Sequence, residues 1–515
     1  MKRIHIVLIA LLGLFAASCD SYLDETPDNR AEVDSQTKIR KLLVSAYAEG
    51  NHALVTELSS DNIDDMGTLN PYSTRFYEQL ANWVDVTELD NDDTKNIWEK
   101  SYSAIAHSNE ALAAIEKLGE ENLLAEKGEA LITRAYSHFI LVNVFCQHYN
   151  STTSSTDLGI TYMEKSETTL DPKYNRGNVK DVYEKINADI EAALPLISDD
   201  IYEIGAYHFT KKAAYAFAAR FNLYYEKWQK AKDYASVVLT ANPSSQLRDW
   251  ARLGALPMDE DVVTNAYIND PANLLALTSV SSTGAYFGGF YTGSRFNHSG
   301  KIATEQTLLA PAPWGTISGS AYHFSLFVYT GNNLDKTLFY KIPYLREITN
   351  AVAQTGYTRT VMIPFTIDES LLVRAEAEVI LGENELALAD LNLWSKNIFK
   401  DKEATMDQVN TLYTDMKYSS EALVTQKKKL NPKFTVTAGV QENLIHYVLQ
   451  CRRILTLHEG LRWFDIKRYG IEVPRFQIQA DNTIVVLDVL KADDLRKAIQ
   501  LPQDVISAGL EANPR

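Results

Sequence analysis

Residues 211–243 read KKAAYAFAARFNLYYEKWQKAKDYASVVLTANP. Apolar positions recur at steps of three and four, which is the period of a helix face. Tyr215, Ala219, Ala231, Ala235 and Pro243 fall at fixed spacings along it. Small residues at Ala219 and Ala231 allow two antiparallel helices to approach closely. Pro243, which lacks an amide hydrogen, is expected to end the second helix.

This spacing resembles the tetratricopeptide unit, a helix–turn–helix of about 34 residues. A second unit is expected at residues 370–396, SLLVRAEAEVILGENELALADLNLWSK, where Ala375, Gly382, Ala387 and Leu391 recur at similar offsets. Such a pair cannot bury its apolar face alone, so neighbouring pairs must stack. Further helix faces lie upstream. Ile39, Leu42, Leu43 and Ala46 form one. Trp98, Tyr102, Ile105, Leu112 and Ile115 form another. Residues 123–149 carry a third through Leu131, Ala135, His138, Val142, Phe145 and Tyr149, and 178–194 a fourth, ending at Pro195. His138 and His208 read as packed or capping side chains rather than ligands.

The chain opens with MKRIHIVLIALLGLFAASCDSYLDETP, residues 1–27. Lys2 and Arg3 precede an apolar run, Ile4–Phe15, that is shorter than the roughly 20 residues a spanning helix needs. The run and the small residues Ala16, Ala17 and Ser18 fit a cleaved signal peptide. Cys19 sits where a lipoprotein peptidase would cut, which predicts an acylated N-terminal cysteine and attachment to a membrane by lipid alone. Residues 20–35 are polar and turn-rich and read as a tether. The expected organisation is a signal peptide at 1–18, a lipidated tether at 19–35 and one domain at 36–515. Within that domain, helical repeats cover about 36–245 and 366–470.

Between about 250 and 365 the helical period fades. The centre of this segment is TGAYFGGFYTGSRFNHSG, residues 283–300, followed by Trp314, Gly315 and Gly319. It reads as loops and short strands mounted on the helices, with strands expected at Leu274–Ser279 and Tyr322–Tyr329. A long irregular segment in a folded protein is usually functional or disordered. Tyr286, Phe287, Phe290, Tyr291 and Phe296 make it too aromatic for disorder.

Composition limits the function. With 50 Lys+Arg against 67 Asp+Glu the formal charge is −17. Loss of residues 1–18 removes two cations and no acid, giving −17 − 2 = −19. That sign argues against nucleic acid as a partner. Of three cysteines, Cys146 and Cys451 lie in apolar helical stretches and read as core residues. No CxxC, zinc spacing, HExxH, nucleophile elbow, phosphate loop or dinucleotide fingerprint occurs, so neither metal, cofactor nor catalytic machinery is expected. Near the end, CRRILTLHEGLRWFDIKRYG (451–470) spaces Glu459, Arg462, Asp465 and Arg468 by three. On a helix these charges line one side and pair in sequence, a salt-bridge network expected to fix the last helix against the repeats.

Several of these stretches together resemble the SusD/RagB family of outer-membrane nutrient-binding lipoproteins. CDSYLDETP (19–27) resembles its lipidated N-terminus. EALITRAYSHFILVNVF (129–145) resembles its Arg-Ala-Tyr helix. Residues 209–239 and 371–383 resemble its repeats, RRILTLHEGLRWFDIKRYG (452–470) its C-terminal signature, and IQLPQDVISAGLEANP (499–514) its closing segment. The resemblance implies a mostly helical fold of tetratricopeptide-like pairs with a loop-rich ligand-binding face. It implies a surface-exposed, lipid-anchored outer-membrane protein. Such a protein captures oligosaccharide and acts as the lid of a SusC-type TonB-dependent transporter, without chemistry of its own.

The ligand residues expected on this reading are Trp83, Tyr286, Tyr291, Arg295 and Trp314. Trp83 follows the aromatic loop PYSTRFYEQLAN (71–82), and the others sit among glycines that let rings stand out from the backbone. Aromatic rings lie flat on the apolar faces of sugars, and an arginine donates paired hydrogen bonds. The alternatives are a peptide-binding lid of the RagB type, a pure assembly scaffold and, in a different class, a lipid-anchored hydrolase. The hydrolase needs a catalytic constellation that the sequence does not display.

Overall fold

The scaffold helices are α1 (Gln36–Val44), α2 (Thr94–Leu118), α3 (Leu124–Phe145), α4 (Val179–Ala193), α5 (Lys211–Tyr224) and α6 (Trp228–Leu239) before the strand-rich segment. After it come α7 (Ile367–Leu381), α8 (Asn384–Ile398), α9 (Met406–Asp415), α10 (Val440–Leu455) and α11 (Arg462–Arg468). The structure, a computed structural model, describes residues 32–167, 174–288, 294–315, 318–324, 327–329, 336–481 and 483–515. The signal segment, Cys19 and most of the tether lie outside the described residues.

The α5–α6 pair forms as its sequence predicts. Ala219, Ala231 and Ala235 have no exposed surface, and Tyr215 packs edge-on to Tyr234 at 5.5 Å. A larger side chain at Ala219 or Ala231 would force the helices apart, at a cost of about 1–3 kcal/mol. The end of α6 differs from expectation. The helix stops at Leu239, Thr240 takes a left-handed φ of 56°, and Pro243 instead opens a short 3-10 turn. Stacking continues from pair to pair: α2 lies against α3, α3 against α4, α6 against α7, and α7 and α8 against α10. Thr366 caps α7 by accepting from the Glu369 amide at 3.0 Å. Gly382, at φ 81°, ends α7 in the left-handed conformation that glycine adopts without a Cβ penalty. Helix α3 is buried on every side from Gly128 to Phe145, its polar residues Glu129, Arg134, His138 and Asn143 included. His138 is a packed residue, as expected. Its Nδ1 donates to the Arg134 carbonyl at 2.9 Å, its Nε2 accepts from the Met163 amide at 3.0 Å, and its ring stacks on Tyr162.

Among the described residues, nine strands lie between these helices. The four-stranded sheet has the order β3 (Phe296–Asn297), β1 (Asp64–Asp65), β8 (Val473–Ile478), β9 (Ile484–Leu490), and only its β1–β8 contact is parallel. The three-stranded sheet, β2 (Asn273–Val280), β7 (Thr355–Thr366), β6 (Leu345–Asn350), is antiparallel, and β4 (Phe327–Tyr329) pairs with β5 (Lys336–Leu338). The strand expected at Leu274–Ser279 is β2. That expected from Tyr322 shrinks to β4, because Tyr322 makes an isolated bridge to Phe399 instead. The glycine-rich segment is also more helical than its composition suggests. Thr283–Phe287 and Gly300–Glu305 are short helices, the latter capped by Ser299 Oγ accepting from the Ile302 amide at 3.1 Å. Gly284 is required by close approach: a Cβ there would meet the Pro343 carbonyl oxygen at 2.1 Å.

The charged C-terminal segment is internal, as expected, but its pairing differs. Within it Asp465 pairs with Arg468 at 2.7 Å and with Arg452 at 3.3 Å. Arg462 instead makes a two-pronged contact with Asp61, at 2.8 and 2.9 Å, and Glu459 meets Lys341 at 2.8 Å. Arg468 also reaches Glu376 on α7 at 2.7 Å. Glu459 precedes α11 rather than lying on it, so the run of four does not share one helix face.

Candidate functional site

Trp83 follows the helix Arg75–Ala81 at a left-handed φ of 54°. This turns the ring inward to 7% exposure, where its Nε1 donates to the Ser59 carbonyl at 2.8 Å. The Arg475 guanidinium lies 4.8 Å from the ring centre and that of Arg496 5.8 Å. Tyr286 is 2% exposed, donates its hydroxyl to the Phe296 carbonyl at 2.6 Å and packs edge-on to Tyr77 at 4.8 Å. Trp314 is 8% exposed, with its ring against Phe399 at 4.8 Å and Tyr447 at 5.4 Å. These three rings are packing residues in this conformation, so a sugar cannot lie on them without a rearrangement. Tyr291 lies outside the described residues.

Arg295 is the expected residue that reaches solvent, with a side chain 25% exposed. It holds Asp65 through Nε at 2.6 Å and Nη2 at 2.9 Å, and Glu78 through Nη1 at 3.2 Å. The bond to Asp65 leads the effects that raise the guanidinium pKa, against the opposing effect of burial. The Arg295 amide also donates to the Tyr72 carbonyl at 2.9 Å. Arg295 and Tyr286 are thus gathered beside Tyr72, which is 57% exposed, and the helix Arg75–Ala81. Trp314 packs against a different set of elements.

The turn that carries Trp314 nonetheless forms one wall of a groove. Ala312 and Gly315 exchange amide–carbonyl bonds at 3.2 and 2.8 Å, and Gly315 takes a φ of 98°. The Trp314 ring anchors this turn from below. Above it, Pro311, Pro313 and Gly315 face α9 across a groove of about 660 Å³. On α9, Val409 and Tyr413 point into the core, leaving Asp407, Gln408, Thr411 and Asp415 along the groove side. A capping box fixes the start of the helix: Gln408 Nα donates to Thr405 Oγ1 at 3.2 Å and the Thr405 amide to Gln408 Oε1 at 2.8 Å. Behind the turn, Gln450 Nε2 donates to the Pro311 carbonyl at 3.4 Å, and Gln426 Nε2 donates to the same oxygen.

The groove has the volume of a small-ligand site. Its carboxylates, amide and hydroxyl accept hydrogen bonds from hydroxyl groups, and Pro311, Pro313, Leu412 and Met416 offer apolar surface between them. Asp407 and Asp415 stand eight residues apart, about 12 Å along the helix axis. The sequence signal for these residues was weak, because polar positions on one helix side read as a solvated face. Among the described residues, no group of three or more His, Cys, Asp or Glu is placed to hold a metal ion. No helix among them is long and apolar enough to cross a membrane.

Comparison with known proteins extends this picture. A family model described as "SusD-like_3: Starch-binding associating with outer membrane" matches residues 21–223. No curated protein matches the chain. Solved structures share its fold. A putative sugar binding protein from Bacteroides vulgatus ATCC 8482 is 18% identical with a TM-score of 0.63, covering 94% of this chain and 99% of that one. A SusD superfamily protein from Bacteroides thetaiotaomicron VPI-5482 is 17% identical with a TM-score of 0.61, covering 93% and 98%. A SusD-like carbohydrate binding protein from Bacteroides vulgatus ATCC 8482 is 16% identical with a TM-score of 0.58, covering 87% and 88%. The family's sequence pattern thus covers residues 21–223, and the chain shares the fold of solved SusD-like proteins over nearly its whole length.

Proposed function

We propose that this protein is a cell-surface binding lipoprotein that captures an oligosaccharide and presents it to a SusC-type TonB-dependent transporter, moving as its lid. The observation that carries the reading is the groove between the Pro311–Gly315 turn and α9. It sets hydrogen-bond acceptors beside apolar surface, which is the pattern a sugar ring presents in reverse. The family description, starch-binding and outer-membrane-associating, supports the ligand class and the location. Acylation at Cys19 would supply the anchor, and Tyr72 and Arg295 form a second exposed surface. Trp314 supports the groove turn from beneath, and Trp83, Tyr286 and Tyr291 stay proposed contacts that a rearrangement would have to expose.

The test is calorimetry of the signal-less protein against neutral oligosaccharides and peptides of matched length, with chromatography of the incubated ligands. Glycan binding without product is expected. Asp415→Ala and Thr411→Ala, which lie on an exposed helix side, should each weaken it several-fold with the melting temperature unchanged. Peptide binding alone would replace the ligand, cleaved product would make the protein an enzyme, and groove variants with full affinity would move the site to the Tyr72–Arg295 surface.

A further inference from the structure

Lys427, Lys428 and Lys429 form a run that by sequence belongs on a solvated face. Lys427 and Lys428 are instead buried, at 7% and 6% exposure. Lys427 donates to the Tyr413 carbonyl and lies over the Tyr418 ring. Lys428 Nζ donates to Gln306 Oε1 at 2.7 Å and Ser419 Oγ at 3.1 Å, both neutral acceptors. Lys428 borders a cavity of about 10 Å³ between this segment, α10 and α11. Arg453, Arg462 and His446 share that wall, each buried at 3–4% exposure. The wall therefore holds three cations and no carboxylate.

The nearby acids are already engaged. Asp61 takes both prongs of Arg462, and its carbonyl accepts from Arg453 Nη2. Glu442 accepts from the Tyr418 hydroxyl, and its nearest oxygen is 3.7 Å from His446 Nε2, beyond hydrogen-bond length. His446 Nε2 has no hydrogen-bond partner. Burial pushes Lys428 down to about 7 and Arg453 down to about 10, against the pull of Asp61, whose Oδ1 lies 3.4 Å from Arg453 Nη2.

Size and chemistry then select the ligand. A cavity of this volume takes about one water-sized body, which leaves no room for phosphate, sulfate or a sugar acid. A halide accepts several N–H donors at once and has no proton of its own to place. We propose that this cavity is a halide site, in which one chloride accepts from Lys428, Arg453, Arg462 and His446. Gln450, on the same wall, donates to the Pro311 carbonyl, so the ion would also brace the back of the groove. Gln426 Oε1 faces the cavity without a partner and would suit a water better, so the test is set against water.

Crystals of the wild-type protein soaked in sodium bromide give the direct test, with anomalous scattering measured at the bromine edge. An anomalous peak inside the cavity is expected. In solution, chloride or bromide should raise the melting temperature over sodium gluconate at equal ionic strength, by about 1.4 °C at ten times the dissociation constant. Lys428→Gln should abolish the difference. If that variant fails to fold, the two wild-type measurements decide. A cavity filled by water alone in bromide overturns the proposal. So does a bromide peak with equal melting temperatures in the two salts, which is binding at crystal concentration only.

Discussion

Asp465→Ala tests whether the C-terminal charges hold the fold. Asp465 Oδ1 accepts from Arg468 Nη2 at 2.7 Å and Oδ2 from Arg452 Nε at 3.3 Å. The carboxylate is 1% exposed and the Arg452 side chain 0%. Burial alone would raise its pKa; the guanidiniums of Arg452, Arg468 and Arg462 overcome that and hold it below the usual carboxylate range. Without Asp465, Arg452 faces Glu376 at 3.6 Å and Glu369 at 3.8 Å, while Arg452 Nη1 and Nη2 already have no hydrogen-bond partner. Arg468 keeps Glu376 at 2.7 Å. Stranding one member of a buried pair costs about 3–5 kcal/mol. Two carboxylates remain near Arg452, so the lower end, about 3 kcal/mol, is expected. Asp465→Asn keeps the shape and an acceptor and should cost about 2 kcal/mol. Urea unfolding followed by tryptophan fluorescence reads both values. Because the native pKa is depressed, this stabilisation is present above about pH 4 and lost as pH falls through the native value. The variants should therefore lose less stability on acidification than the wild type. Glycan affinity of the folded fraction should hold. An unchanged urea midpoint for Asp465→Ala, or lost affinity at unchanged stability, would refute the structural role.

Three further outcomes follow from the geometry. Trp314→Ala empties a site filled by a buried indole and should cost about 3–5 kcal/mol, with affinity falling only as the groove turn loosens; lost binding with the melting temperature intact would return the ring to the ligand surface. Burial, outweighing bonds from Ser281 Oγ and the Ser282 amide, pushes Asp92 up to about 7, so the native state binds its proton more tightly than the unfolded chain. Stability should accordingly decline as pH rises from about 4 to 7, and Asp92→Asn should flatten that decline in urea midpoints; an identical pH profile would discount it. Cys19→Ser should shift the protein from membrane to soluble fractions or leave it uncleaved, and unchanged partitioning would dismiss lipid as the anchor.

The helical scaffold was legible because its information is local. Ala219 and Ala231 announce a close helix pair through spacing alone, and the steps of three and four through Leu131, Ala135, His138, Val142 and Phe145 announce α3. The ligand face was harder to read for the opposite reason. Whether Tyr286 or Trp314 stands out or packs in depends on Tyr77, Phe399 and Tyr447, which no local pattern connects to them. Arg462 shows the same limit: its sequence neighbours supply plausible partners, yet its carboxylate is Asp61, 401 residues away. The groove residues on α9 carry no pattern that separates a binding side from a solvated one. Strand β8 pairs both with its sequence neighbour β9 and with a two-residue strand near the other end of the chain, a link that no local pattern reveals.

That pairing sets a clock on folding. Gln477 Nε2 donates to Asp65 Oδ2 across 412 residues, and Arg475 donates to the Ala81 and Ile63 carbonyls over a similar separation. A ribosome adds about 5–20 residues per second, so residues 57–83 wait on the order of 20–80 s for the strand that completes them. During that interval the carbonyls at Leu58–Ile63 and the edge of β1 lack their final partners, in a chain whose contacts are slow to close by topology. The N-terminal helices must therefore either stay unfolded or be shielded until β8 arrives. A chain stopped before Arg475 leaves an open seam along its oldest segment rather than a missing tail.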